Sequence, residues 1–141
     1  MKYNQLIPEF YVLDLDSSLA FYRKAGFTVA YDRPETGFAF LAREEIQIML
    51  QQWPGTSEWG PKSLTFPNGN GVNFQMEVSG VEALFDALQQ AGCAIVSPLA
   101  EVWYRSGDTE LGNKEFLVRD PDGYLLRFFE DLGERPAAEE E

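Results

Sequence analysis

A chain of 141 residues, 45% hydrophobic and 14% aromatic, holds enough apolar material for one domain or for two small modules sharing a core. Its formal charge of −12 repels a phosphate backbone, so nucleic acid is not an expected partner, and the absence of any histidine removes Ser-His-Asp and Cys-His catalysis together with the commonest transition-metal ligand. No apolar run reaches the roughly 20 residues of a membrane-spanning helix, no signal peptide opens the chain, and the lone Cys93 forms no internal disulfide, so no membrane partner and a reducing cytoplasm are expected.

Taken in order, Leu6 to Leu13 reads as a strand in which Pro8 marks an edge or an unusual crossing. Asp14 to Ser18 offers N-cap residues, and Leu15, Leu19, Tyr22 and Ala25 follow at helical spacing before Gly26, which stands where a helix-ending glycine belongs. Phe27 to Tyr31, Phe38 to Ala42 and Ile46 to Gln52 are strands. Arg33–Gly37 is a loop and Arg43–Glu45 a charged turn. Trp53 to Gly71, rich in Pro, Gly, Ser and Asn, reads as a long connector. The pattern then restarts with a strand over Val72–Val78, a helix over Val81–Ala91, Gly92, and a strand over Cys93–Val96. Ser97 to Gly112 is expected to be a long loop. Strands near 113–119 and 124–130 close the second copy, and Glu134 to Glu141 is a polar tail.

An offset of 66 residues pairs Leu15 with Val81, Ala25 with Ala91 and Gly26 with Gly92. The architecture this implies is α+β, two tandem βαβββ modules over 1–66 and 67–133, with an acidic tail at 134–141. Near the end of the chain, Asn113-Lys-Glu-Phe116 and Arg119-Asp-Pro-Asp-Gly-Tyr124 form a β-rich run, a turn set by proline and glycine, and a second apolar run.

That string resembles the closing hairpin of the vicinal-oxygen-chelate superfamily, which includes glyoxalase I, extradiol dioxygenases, fosfomycin-resistance enzymes and bleomycin-resistance proteins. Asp14, Ser18, Phe21, Tyr22, Gly26 and Phe27 resemble the family's D-x-x-x-S-x-x-F-Y helix start and the G-F of its second strand. Ile7-Pro8 and the K-E-F and R-D-P runs are most similar to the bleomycin-resistance branch. The resemblance covers roughly residues 4–131 and implies strands curled into an open mixed-sheet cup. The open sheet edge of each module favours a homodimer, and Pro8 favours a first strand that crosses to the partner.

In metal-dependent members of this family each module supplies ligands from its first and last strands. Carried over, those positions fall on Ile7, Asn73, Arg127 and, within a residue or two, Met49. An isoleucine, an amide, a thioether and a guanidinium do not hold a hard divalent ion, so no metal and no cofactor are expected. Glyoxalase and dioxygenase chemistry would need that ion as a Lewis acid. Alternation places Asn73, Gln75 and Glu77 on one face of their strand, toward the cup or toward solvent, and Phe74, Met76 and Val78 against the helix. Ile7, Glu9 and Tyr11, and Leu125, Arg127 and Phe129, are the matching rows.

Tyr31 and Phe38 fall where the resemblance places rings against a drug's planar heterocycles, and Asp32 beside them suits a cationic tail. Trp53, Trp59, Trp103 and Tyr104 are expected on loops, where they stack on ligand, cover a dimer interface or plug the cup. The family's tryptophan ahead of its G-R-E-F run is replaced by Gly112, which leaves Trp103 or Tyr104 to complete the stack. Cys93 has no histidine to activate it, and nothing in the spacing of Glu9, Glu77, Asp108 and Glu110 singles out an acid–base pair. The reading implied is a non-enzymatic, metal-independent homodimer sequestering a planar, cationic antibiotic of the bleomycin type. The alternatives are a lyase or isomerase of the same fold and a small-metabolite binding module. Ligand contacts are expected at Tyr31, Asp32, Phe38, Asn73, Gln75, Glu77, Trp103, Tyr104 and Arg127.

Overall fold

The two helices carry the repeat most plainly: α1 spans Leu15–Lys24 and α2 spans Val81–Gln90, so both ends keep the 66-residue offset. The computed structural model describes residues 1–57 and 60–138; Trp59 and the last three glutamates of the expected tail lie outside the described residues. The chain forms two compact units, Met1–Val72 with Asp120–Tyr124, and Asn73–Arg119 with the residues from Leu125 onward.

The first unit runs β1 (Glu9–Val12), α1, β2 (Thr28–Arg33), β3 (Phe38–Arg43) and β4 (Ile46–Gln52). Its sheet has the order β1-β4-β3-β2, with β1 parallel to β4 and the other pairs antiparallel. The second unit repeats this with β5 (Asn73–Glu77), α2, β6 (Ala94–Ser106), β7 (Thr109–Arg119) and β8 (Leu125–Pro136), in the order β5-β8-β7-β6. Both sheets are therefore mixed, and the fold is the α+β pair of βαβββ modules that the repeat implies.

Alternation in the strands sets the cores. Phe10, Val12, Leu41, Ile48 and Leu50 are buried in the first unit, and Met76, Val78, Phe116, Val118, Leu126 and Phe128 in the second. Phe85 of α2 meets Phe116 edge-on at 5.2 Å, which identifies this face of the second sheet as the helix side. In each unit the last strand also serves the start of the helix. Leu15 N donates to Gln52 Oε1 and Val81 N to Glu130 Oε1, both at 2.7 Å. Each bond satisfies an amide that the helix itself leaves unpaired. Asp14, expected as a side-chain cap, makes no capping bond and instead accepts the hydroxyl of Ser17 at 2.6 Å.

The Asp-Pro-Asp-Gly-Tyr turn is more than a hairpin connection. Asp120 Oδ1 accepts the backbone N–H groups of Asp122 and Tyr124, each at 2.9 Å, and its Oδ2 accepts the Tyr22 hydroxyl at 2.7 Å. Asp122 accepts Leu13 N at 2.8 Å and the Ser18 hydroxyl at 3.3 Å. Tyr124 stacks on Phe10 at 4.2 Å and donates its hydroxyl to Tyr11 O at 2.8 Å. A glycine is required at 123: its φ is +90°, and an added Cβ would lie 2.5 Å from Pro67 Cα.

Two expectations are corrected. Ser97–Gly112 is not a loop, because β6 and β7 continue as a paired hairpin as far as Ser106 and Thr109, turning at Gly107 with φ +64°. Pro98 is accommodated because β6 is an edge strand whose register shifts between Ser97 and Ala100. Glu134–Pro136 is likewise strand, paired with Thr109–Leu111, where a tail was expected. Within the chain β1 pairs with β4 of its own unit, Glu9 opposite Met49. Pro8 sits just before the strand, where it lacks no ladder bond, and its carbonyl accepts Met49 N at 2.9 Å.

Candidate functional site

In each sheet the residues that do not face the helix form a second face, and all the expected ligand contacts except Asp32 and Trp103 lie there. On the first unit that face carries Glu9 and Tyr11 of β1, Met49 and Gln51 of β4, Phe38 and Phe40 of β3, and Tyr31 and Arg33 of β2. Tyr31 stacks on Phe40 at 5.1 Å and lies tilted against Phe38 at 5.9 Å. Tyr3 meets Phe40 edge-on at 5.5 Å, and its hydroxyl is 3.3 Å from that of Tyr31. These four side chains make one aromatic platform.

Two expectations about it change. Asp32 is opposite Ala39, on the helix side of the sheet, so it does not stand beside the rings. Arg33 does: its guanidinium carbon lies 3.9 Å from the Phe38 ring centre and 5.9 Å from that of Tyr31. Phe38 is accordingly only 4% exposed, covered by a cation where a neighbouring acid was expected. Trp53, just past β4, packs edge-on against Tyr11 at 4.9 Å, and the Tyr11 hydroxyl is 3.1 Å from that of Ser57.

The second unit's outer face is polar. Asn73, Gln75 and Glu77 are exposed along β5, and Phe74 and Met76 point the other way, as alternation requires. Gln75 stands opposite Arg127 on β8, which stands opposite Leu117 on β7. Next along β7 on this face is Glu115, a carboxylate only 5% exposed. Its Oε1 accepts the Tyr104 hydroxyl at 2.6 Å, and its Oε2 lies 3.6 Å from Arg127 Nε. The hydrogen bond to Glu115 pushes the Tyr104 hydroxyl above its usual pKa. Arg127 Nε is buried and, among the described residues, has no hydrogen-bond acceptor.

Trp103 and Tyr104, expected on one loop, point to opposite faces because they are neighbours on β6. Tyr104 joins Glu115. Trp103 lies over Gly112, where an added Cβ would come within 2.7 Å of its ring, and Arg135 covers it with the guanidinium carbon 3.9 Å from the ring centre. Gly112 therefore leaves room for an indole contributed by the neighbouring strand. Glu115 was missed in the sequence as a site residue; its signal was alternation, which gives it the opposite face from the buried Phe116 and Val118.

The rows equivalent to a family metal centre carry Ile7, Met49, Asn73 and Arg127. Among the described residues no group of three or more Cys, Asp or Glu side chains converges in a way that could hold an ion. The donors present do not fit a hard divalent cation: a thioether and an amide are weak ligands for it and a guanidinium repels it. Of the carboxylates considered for acid–base work, Glu110 is paired with Arg135 at 3.0 Å and Glu9 and Glu77 are exposed. Cys93 precedes β6, and its amide donates to Leu88 O at 3.0 Å. Among the described residues no helix is long and apolar enough to cross a membrane.

Residues 4–128 match the Glyoxalase/Bleomycin resistance protein/Dioxygenase superfamily. The chain is 30% identical to proteins named bleomycin resistance protein from Geobacillus stearothermophilus and Staphylococcus aureus, over 91% of this chain and 97% of theirs. Among solved structures it is similar to TioX from Micromonospora sp. ML1, with a TM-score of 0.68 and 24% identity over 92% of this chain and 100% of that one. It is also similar to a bleomycin resistance determinant encoded on transposon Tn5, with a TM-score of 0.60 and 19% identity over 92% of this chain and 99% of that one. These two likenesses concern the fold.

Proposed function

Because the chain belongs to the Glyoxalase/Bleomycin resistance protein/Dioxygenase superfamily, we propose that it protects by binding: it sequesters a drug of the bleomycin type, without a metal ion and without a chemical step. The observation that carries this reading is the character of the two outer sheet faces. At the positions carried over from metal-dependent members this chain has Ile7 and Met49 in the first unit and Asn73 and Arg127 in the second; the first unit's outer face adds an aromatic platform and the second unit's a row of hydrogen-bonding side chains. Rings and amides recognise a flat, polar molecule; they do not activate one.

The surface charge of −12 raises the encounter rate with a cationic drug, and that contribution falls as salt is added. Stacking on the platform contributes about 1 kcal/mol per ring contact, so several contacts reach useful affinity. Arg33 must swing off Phe38 for a drug ring to take its place. We assign the working form as a homodimer, in which association would cover the open sheet edges at β2 and β6.

The test is a fluorescence titration with bleomycin, followed by mass analysis of the recovered drug. Saturable quenching of tryptophan emission, one drug per chain, weaker binding in Tyr31→Leu and a drug of unaltered mass are the expected results. An altered drug mass would replace this reading with catalysis. Absence of quenching and heat with bleomycin, alongside binding of other planar compounds, would replace it with a metabolite-binding module.

A further inference from the structure

The second unit's outer face holds one buried polar atom whose hydrogen bonding is incomplete. Arg127 Nε is buried without an acceptor among the described residues. At 3.6 Å the nearest carboxylate oxygen, Glu115 Oε2, is attracted by charge but is beyond hydrogen-bond range. Glu115 cannot readily turn to close the gap, because its other oxygen is held by the Tyr104 hydroxyl at 2.6 Å and the residue is 5% exposed. One strand across, the exposed Gln75 stands in register with Arg127. A buried donor without a partner is rare in folded proteins and calls for an explanation, of which a bound molecule is one and water another.

We infer that Arg127 Nε and Glu115 Oε2 form a subsite for a neutral group that both donates and accepts, of which a carboxamide is the simplest. Three features select that class. The guanidinium and the carboxylate cancel in charge, so neither a cation nor an anion finds a net attraction. The donor and the acceptor lie side by side, so a carboxamide C=O accepts from Arg127 while its N–H donates to Glu115. Gln75 adds a second amide edge beside them. A ligand carboxylate would be repelled by Glu115, and a ligand ammonium by Arg127.

This subsite rests on the proposal that the chain is a drug-binding protein, and it names the part of a ligand that the second unit holds. The experiment uses three probes with one ring and different heads: benzamide, benzoate and benzamidinium. The readout is the Arg127 Nε–Hε resonance in a proton–nitrogen correlation spectrum, assigned by its disappearance in Arg127→Lys. Benzamide is expected to shift it at a concentration at least about fivefold lower than either charged probe. Gln75→Leu, an exposed change that leaves the fold intact, is expected to weaken the benzamide response. Equal or stronger response to benzoate or benzamidinium overturns the inference, and so does a resonance that none of the three moves, which would leave the donor to water. Failure of bleomycin itself to bind would overturn the proposed function alone, since the probe series involves no drug.

Discussion

The two units share a topology and differ in what their outer faces have become. Their helices keep one offset from end to end, and in each the last strand bonds the first amide of its own helix. On the outer side the first unit closes on itself: Phe38 and Phe40 are 4% and 0% exposed under Tyr3, Tyr31 and Arg33. The second unit leaves Asn73, Gln75 and Glu77 exposed and extends β6, β7 and β8 to 13, 11 and 12 residues, where β2, β3 and β4 have 6, 6 and 7. Packing against the helix was the constraint both copies had to keep. The outer face was free to diverge, so recognition is to be sought there.

The sharpest way to break this comparison is to truncate one outer-face residue in each unit. Phe38→Ala removes a buried ring and is expected to cost about 3–5 kcal/mol in urea denaturation. Gln75→Ala, exposed, is expected to stay within about 0.5 kcal/mol of the parent. Similar losses at both positions would mean that the two faces are equally structural.

The turn at Asp120 gives the first unit a pH dependence with a definite sign. Burial, outweighing three accepted hydrogen bonds, raises the Asp120 carboxyl to about 6 from an ordinary 3.8. The folded chain therefore holds that proton more tightly than the unfolded one. Stability is expected to rise as pH falls from about 7 towards 4, by up to about 3 kcal/mol. The melting temperature measured across that range checks it, and Asp120→Asn should flatten the rise.

In the second unit, Gly112→Ala puts a Cβ 2.7 Å from the Trp103 ring. An expected loss of about 1–3 kcal/mol, with a shift in tryptophan emission as the indole leaves Arg135, would confirm that the small residue makes room for that ring. The smallest effect is expected at Arg33. Replacing it by Gln uncovers Phe38 and should tighten binding of a planar cation about fivefold, roughly 1 kcal/mol, as judged by fluorescence titration. Weaker binding would show that Arg33 holds the ligand instead of covering its place.

Much of this was readable in the sequence where the signal was local or repeated. The helices, the β4 bounds at Ile46 and Gln52, and the alternation of Asn73 to Val78 follow from spacing alone. The long hairpin was missed because Pro98 and Gly107 read as loop punctuation, although Val102, Trp103, Tyr104 and Arg105 are strand-forming and Gly107 supplies its turn. The opposite faces of Trp103 and Tyr104 were missed for the same reason, since a loop imposes no alternation and a strand does. Arg33 was not legible as a site residue, since it depends on which face β2 turns outward; alternation gave Glu115 its face, but its burial depends on contacts from β6 and β8.

The proposed function requires that a bleomycin-type drug bind without metal and without chemistry. Calorimetric titration of metal-free bleomycin into chelator-treated protein tests it most directly. The expected result is one drug bound per chain, with the same affinity and the same melting temperature before and after chelation. A heat of binding that disappears with the chelator and returns on adding a divalent ion would contradict it.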